Sequence, residues 1–222
     1  MKNKTVVVGL LIAIVSAVHA ETPAHVSVAV AAANKYTIIS ALPYSITAPG
    51  TYILLSNLGV PLGQTVPAIT INSPGKVTLN LNGYAIQNPS SSDGPTGIQV
   101  LSSNVTVENG TISQCFFGLV AGPVNGNASM GDPPYLTNIV IRNIQFAFDF
   151  QYELLLTNIN GGSVSDCQFT GGRYGAISVG GCIHMKFSNL AITGTFYEVF
   201  SIGGFATGNT VIINKVSEPV SN

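Results

Sequence analysis

A short motif recurs along this chain and leaves few folds open to it. In V-T-L-N-L-N-G-Y-A-I (residues 77–86), apolar and polar residues alternate, a bend follows at Asn82-Gly83, and apolar residues resume. The pattern reads as strand, tight bend, strand. Versions recur at 105–112 (V-T-V-E-N-G-T-I), 139–146, 164–169 and 185–192, and faintly at 211–217. Aligned on the apolar residue before each bend (Leu81, Val107, Ile141, Val164, Phe187, Ile213), the copies lie 26, 34, 23, 23 and 26 residues apart. Two positions later comes the column Gly83, Asn109, Asn143, Asp166, Asn189 and Lys215. Gly, Asn and Asp tolerate left-handed backbone, so the column predicts one bend repeated with stacked side-chain amides. Ile86, Ile112, Phe146, Phe169, Ile192 and Glu218 form an inward column five positions on. The position just before it holds Ala85, Thr111, Gln145, Gln168, Ala191 and Ser217, small or polar throughout. Irregular spacing with regular columns means that loops absorb insertions while strands stack, which is a solenoid.

A further strand precedes each unit, at 68–71, 97–100, 118–121, 148–150 (Phe148-Asp149-Phe150), 176–179 and 200–202. Three strands per turn predict an all-β parallel β-helix of five to six turns with three parallel sheets. Residues 36–67 are expected to form a hairpin through Pro49-Gly50 that covers the first turn, because an open solenoid edge must be blunted. The expected organisation is residues 21–67 as lead and cap, then the β-helix over 68–222. Long loops are expected at 88–96, 122–137 and 152–160.

With L-P-Y-S-I-T-A-P-G-T-Y-I-L-L-S-N-L (residues 42–58) ahead of A-I-T-I and the first bend unit, the chain resembles right-handed parallel β-helix proteins of the pectate-lyase-like superfamily. It looks most like that superfamily's uncharacterised secreted branch, and the resemblance covers roughly residues 36–217. Superfamily enzymes that cut or epimerise uronic-acid polymers gather carboxylates, Arg or Lys on adjacent turns of one sheet. In this chain the corresponding outward column (Thr70, Gln99, Val120, Asp149, Ser178, Ser201) holds one carboxylate, whereas glycoside hydrolysis ordinarily needs two. The paired-Asp and His-Gly motifs of polygalacturonase-like hydrolases and the Arg-x-Pro-x-x-Arg pattern of pectate lyases are not found in the sequence. The resemblance therefore implies fold more than activity.

Charged residues are 8% of the chain, against about 25% in ordinary globular domains, which suits strands and tight turns. Beyond residue 20, six Lys/Arg stand against nine Asp/Glu, a balance near −3 with no electrostatic footprint for nucleic acid. Residues 1–20 read as a signal peptide: Lys2 and Lys4, the apolar run 6–15, and the small-residue site Val18-His19-Ala20. Export to the periplasm, cell surface or medium is expected, with no membrane span after cleavage. Cys167 falls in an apolar column and reads as a buried small hydrophobe, while the pairing of Cys115 and Cys182 stays open. No Cys/His spacing resembles a metal site, and no cofactor is expected. Asp93 and Asp132 sit in Gly-rich loops as turn residues, with calcium as their alternative use. The short tail after Asn214 leaves homo-oligomerisation open.

Chemistry is sought at one corner. The loops 171–174 and 194–198 belong to consecutive turns, with Asp149 on the turn before. Asp149 and Glu198 as candidate catalytic carboxylates, Arg173 as cation, and Tyr174 and Tyr197 as aromatic platforms would together line a carbohydrate subsite. The alternative there is an ordinary surface ion pair of Arg173 with Asp149 or Glu198. Glu108 and Arg142 share an outward column and read as a structural ion pair. His184 and Lys186 are assigned one outward column with Thr78, Asn104, Asn138 and Thr210. The functional expectation is an exported module that binds glycans or partner proteins or plays a structural role. Its alternative is a polysaccharide lyase or glycoside hydrolase with a non-standard site at that corner.

Overall fold

The computed structural model describes residues 36–89, 94–122, 135–194, 198–203 and 208–217, apart from the side chains at 198, 202, 203 and 213–217. The expected signal peptide, the lead at 21–35, Tyr197, Asp93 and Asp132 lie outside the described residues. In chain order the strands are β1 (Tyr36–Ile39), β2 (Tyr44–Ile46), β3 (Gly50–Leu54), β4 (Leu58–Gly59), β5 (Ile69–Ile71), β6 (Val77–Asn80), β7 (Ala85–Gln87), β8 (Ile98–Val100) and β9 (Val105–Ser113). They continue as β10 (Leu119–Ala121), β11 (Leu136–Ala147), β12 (Tyr152–Thr157), β13 (Ile159–Ser165), β14 (Gln168–Thr170), β15 (Gly175–Gly180), β16 (Ile183–Thr193), β17 (Glu198–Gly203) and β18 (Thr210–Ser217). Every pairing is parallel and joins a strand to its equivalent one turn away, giving a β-solenoid of about six turns.

Two hydrogen-bonded sheets form where three are expected. One has seven strands in the order β17-β15-β12-β10-β8-β5-β2. The other has eleven, because β9, β11 and β16 run through the bend without losing their ladder. The crease comes from single left-handed residues inside these strands: Asn109 (φ 62°), Asn143 (φ 51°) and Asn189 (φ 53°), with Asp166 (φ 55°) between β13 and β14. A left-handed residue turns the chain sharply while its amide and carbonyl still point along the axis, so both flanks stay paired.

The predicted hairpin cap does not form. β2 and β3 belong to different sheets, and β1 runs parallel to β3 (Tyr36 opposite Thr51, Ile39 opposite Leu54). Solenoid stacking is therefore already in place at Tyr36, the first described residue, and Pro49-Gly50 marks a corner between faces. The stretch 148–150 is not a strand either, and 152–160 is not a loop: the seven-stranded sheet takes Tyr152–Thr157, pairing Val120 with Leu155 and Leu155 with Ser178. Register also shifts at both ends of the repeat. Leu79, not Leu81, opposes Val107, while Ile86 still opposes Ile112, so the first bend carries two extra residues. At the far end Val211, not Ile213, opposes Phe187, and the Val216 backbone pairs with Ile192.

The core is a bundle of files along the axis. One runs Leu79, Val107, Ile141, Val164, Phe187; another runs Ile86, Ile112, Phe146, Phe169, Ile192, and every member of both is buried. Phe146 and Phe169 stack with centroids 5.1 Å apart and planes 7° from parallel. All three cysteines are free and buried. Each thiol donates to the carbonyl two residues earlier (Cys115 to Ser113, Cys167 to Ser165, Cys182 to Gly180). Burial pushes the Cys167 thiol up to about 12 and that of Cys182 to about 11, so both are inert small apolar groups.

Candidate ligand-binding groove

The corner expected to carry chemistry does not assemble around Asp149. Because the strand begins at Tyr152, the Phe148-Asp149-Phe150 stretch becomes a connection that turns the carboxyl inward, where Asp149 is 1% exposed. Its Oδ1 accepts from the Cys115 amide at 2.8 Å, and Oδ2 has no partner. Arg173 meets Asp149 only through the backbone: its amide donates to the Asp149 carbonyl (3.2 Å), while its guanidinium lies 4.8 Å from the centroid of the Phe150 ring. Tyr174 is half exposed. The Glu198 backbone pairs with Gly175. Burial withdraws Asp149 from any surface carboxylate pair at this corner, while the Glu198 side chain and Tyr197 lie outside the described residues.

Beneath that corner lies a second buried carboxyl that the sequence reading overlooked. Glu153 in β12 is fully buried, and neither carboxyl oxygen has a partner of hydrogen-bond geometry. Burial pushes it up to about 8, although the nearby Phe148 and Thr170 backbone offsets part of the rise. Asp149 is likewise held well above the usual carboxylate range, first by burial and further by the neighbouring Glu153. Glu153 is therefore held largely as the neutral acid around neutral pH, and burial favours the neutral form of Asp149 as well. Gly118 leaves room for the Asp149 carboxyl and for the Glu153 backbone, since a Cβ there would strike Asp149 Oδ2 and the Glu153 backbone carbonyl. Among the described residues no three His, Cys, Asp or Glu side chains gather as a metal site would require.

A concavity of the described residues lies elsewhere, along the crease. A groove of about 400 Å³ is lined by Gly83, Asn109, Gly110, Thr111, Asn143, Ile144, Gln145, Asp166 and Gln168. Two files of side chains bound it. The crease file is held by its own bonds: Asn143 Nδ2 donates to Asn109 Oδ1 (2.9 Å), and Asn189 Nδ2 to Asp166 Oδ1 (2.5 Å). Gly83 joins this file through its backbone, donating its amide to the Asn109 carbonyl at 2.7 Å. Asp166 is held below the usual carboxylate range by that Asn189 bond and by Ser165. On the adjoining flank Thr111 opposes Gln145 and Gln145 opposes Gln168. Gly110 lets the preceding turn pack close, because a Cβ there would strike Leu81 and the Tyr84 carbonyl.

Next to the groove Arg142 Nε and Nη2 both bond Glu108 Oε2, and Asn80 Nδ2 donates to Oε1, so this pair forms as expected and its charges are spent on each other. The column assigned to His184 and Lys186 divides in two. Lys186 follows Thr78, Thr106, Val140 and Ser163. His184 (φ 56°) sits with Asn104 and Asn138 on another left-handed edge, its Nδ1 3.2 Å from Asn160 Oδ1. Thr111, Gln145 and Gln168 were visible in the sequence only as an outward polar column. What marks them as a site is the hollow beside the crease, which alternation does not encode.

Fold and site together define a parallel β-solenoid with a polar groove along one crease. No family model, curated protein or solved structure matches the chain, and the function is read from the chemistry of the groove.

Proposed function

We propose that this chain is an exported, non-catalytic module of the pectate-lyase-like kind that binds a neutral glycan in the crease groove. The observation that carries the reading is the lining: amides, a hydroxyl, backbone and the aliphatic Ile144, with Asp166 as its single carboxylate and no cation or aromatic ring. A hydroxyl-rich ligand needs groups that both donate and accept, and Asn, Gln and Thr provide both. A uronate polymer would need Lys or Arg facing its carboxylates; it would meet Asp166 instead. Hydrolysis would need two carboxyls flanking the bond, and the lining offers one.

Affinity electrophoresis of the secreted chain in gels cast with neutral or uronate polysaccharides tests this. Retardation by a neutral polymer, reduced at least fivefold in a Gln145→Ala/Gln168→Ala variant and unaccompanied by release of reducing ends, is the expected result. Mobility unchanged in every neutral gel overturns the reading, as does liberation of sugar ends.

A further inference from the structure

We infer that the groove takes one geometry of glycan: an unbranched, extended β-linked chain lying parallel to the solenoid axis, one sugar per turn. This rests on the glycan-binding reading and goes further, to the shape and length of the ligand. Three rungs cross the groove: Asn109 with Thr111, Asn143 with Gln145, and Asp166 with Gln168. Strand pairing places successive rungs about 4.8 Å apart. An extended β-1,4-linked hexose chain advances by nearly the same distance per sugar, so each ring can meet one rung over the length of the groove. Such a chain turns over at every sugar and presents alternate edges to the two flanks. Amides that both donate and accept serve either edge. An extended peptide advances about 3.3 Å per residue and falls out of step with these rungs.

The flank file also shows where the groove stops. Thr111 is opposed by Ala85 at one end and Gln168 by Ala191 at the other, so the polar run of three is bounded by alanines. At the Ala85 end, the Asn57 side chain already occupies the strand edge, accepting from the Ala85 amide at 2.9 Å. At the Ala191 end the crease residue is Asn189, bonded to Asp166, and only the flanking amide is missing. The groove is thus three sugars long, and one substitution on its outer face would lengthen it.

Titration calorimetry with oligomers of one to six sugars, cut from whichever neutral β-linked polymer retards the chain, tests this. Affinity is expected to rise about three- to tenfold per sugar up to three and then level off, each step matching one or two net hydrogen bonds. In Ala191→Gln the plateau is expected to move to four. Full affinity for a single sugar, a rise continuing unbroken to six, an unmoved plateau in Ala191→Gln, or equal binding of an Asn/Gln-rich peptide each overturns the axial three-sugar geometry. Binding by no oligomer or polymer at all overturns the glycan reading itself.

Discussion

Glu153 is where a single residue governs how the molecule responds to pH. Its carboxyl ionises near 4.5 ordinarily and at about 8 in the fold. Across that window the folded chain holds a proton that the unfolded chain has released. The associated stability is complete below the ordinary value and is lost as pH rises through about 8. A shift of this size amounts to about 5 kcal/mol at most. Urea unfolding at pH 5, 7 and 9 should show the midpoint falling steadily. Glu153→Gln, neutral at every pH and nearly the same shape, should flatten most of that fall and raise the midpoint at pH 9. Wild-type midpoints equal at pH 5 and pH 9 would contradict the burial of a protonated acid. Asp149 acts in the same direction, and Asp149→Asn can still accept the Cys115 amide.

At the scale of the strand, the bend residues do two jobs that substitution can separate. Asn143 adopts φ 51° and donates to Asn109. Asn143→Gly keeps the backbone and loses the bond, which should cost about 1 kcal/mol. Asn143→Ala loses the bond and adds left-handed strain of about 1–2 kcal/mol. Denaturant unfolding should therefore rank wild type above Gly above Ala; Ala equal to Gly would mean that the bend is not left-handed in solution. In the core, Phe169→Ala removes one half of the Phe146 stack and should cost about 3–5 kcal/mol.

Much of this was legible in the chain itself. The inward files and the Asn109, Asn143, Asp166, Asn189 crease follow from alternation and from the few residues that accept positive φ. The errors have physical causes. Phe148-Asp149-Phe150 alternates as a half-buried strand should, whereas Tyr152-Glu153-Leu154 places a carboxyl where carboxyls rarely go. Burying Glu153 requires keeping its proton, which no pattern of side chains announces. The Pro49-Gly50 turn reads as a hairpin because turn chemistry fixes a bend and leaves open which strand each arm will join. The groove was missed for a similar reason: Thr111, Gln145 and Gln168 alternate like any outward residues, and only the stacking of turns hollows the surface beside them.

For the whole molecule, each turn leans only on its neighbours, so stability should be graded along the axis. Native-state hydrogen exchange should find the amides of Val107, Ile141 and Val164 slowest, with those of β1 and β18 among the fastest of the described strands. Uniform protection from end to end would instead indicate all-or-none opening. The continuity of β9, β11 and β16 across the crease has a mechanical corollary. A fold line stitched by its own hydrogen bonds behaves like the ridge of a corrugated plate: it stiffens the body lengthwise and gives the two flanks no hinge. Whatever settles there meets a trough already cut to shape, and association should show a single kinetic phase with no slow rearrangement behind it.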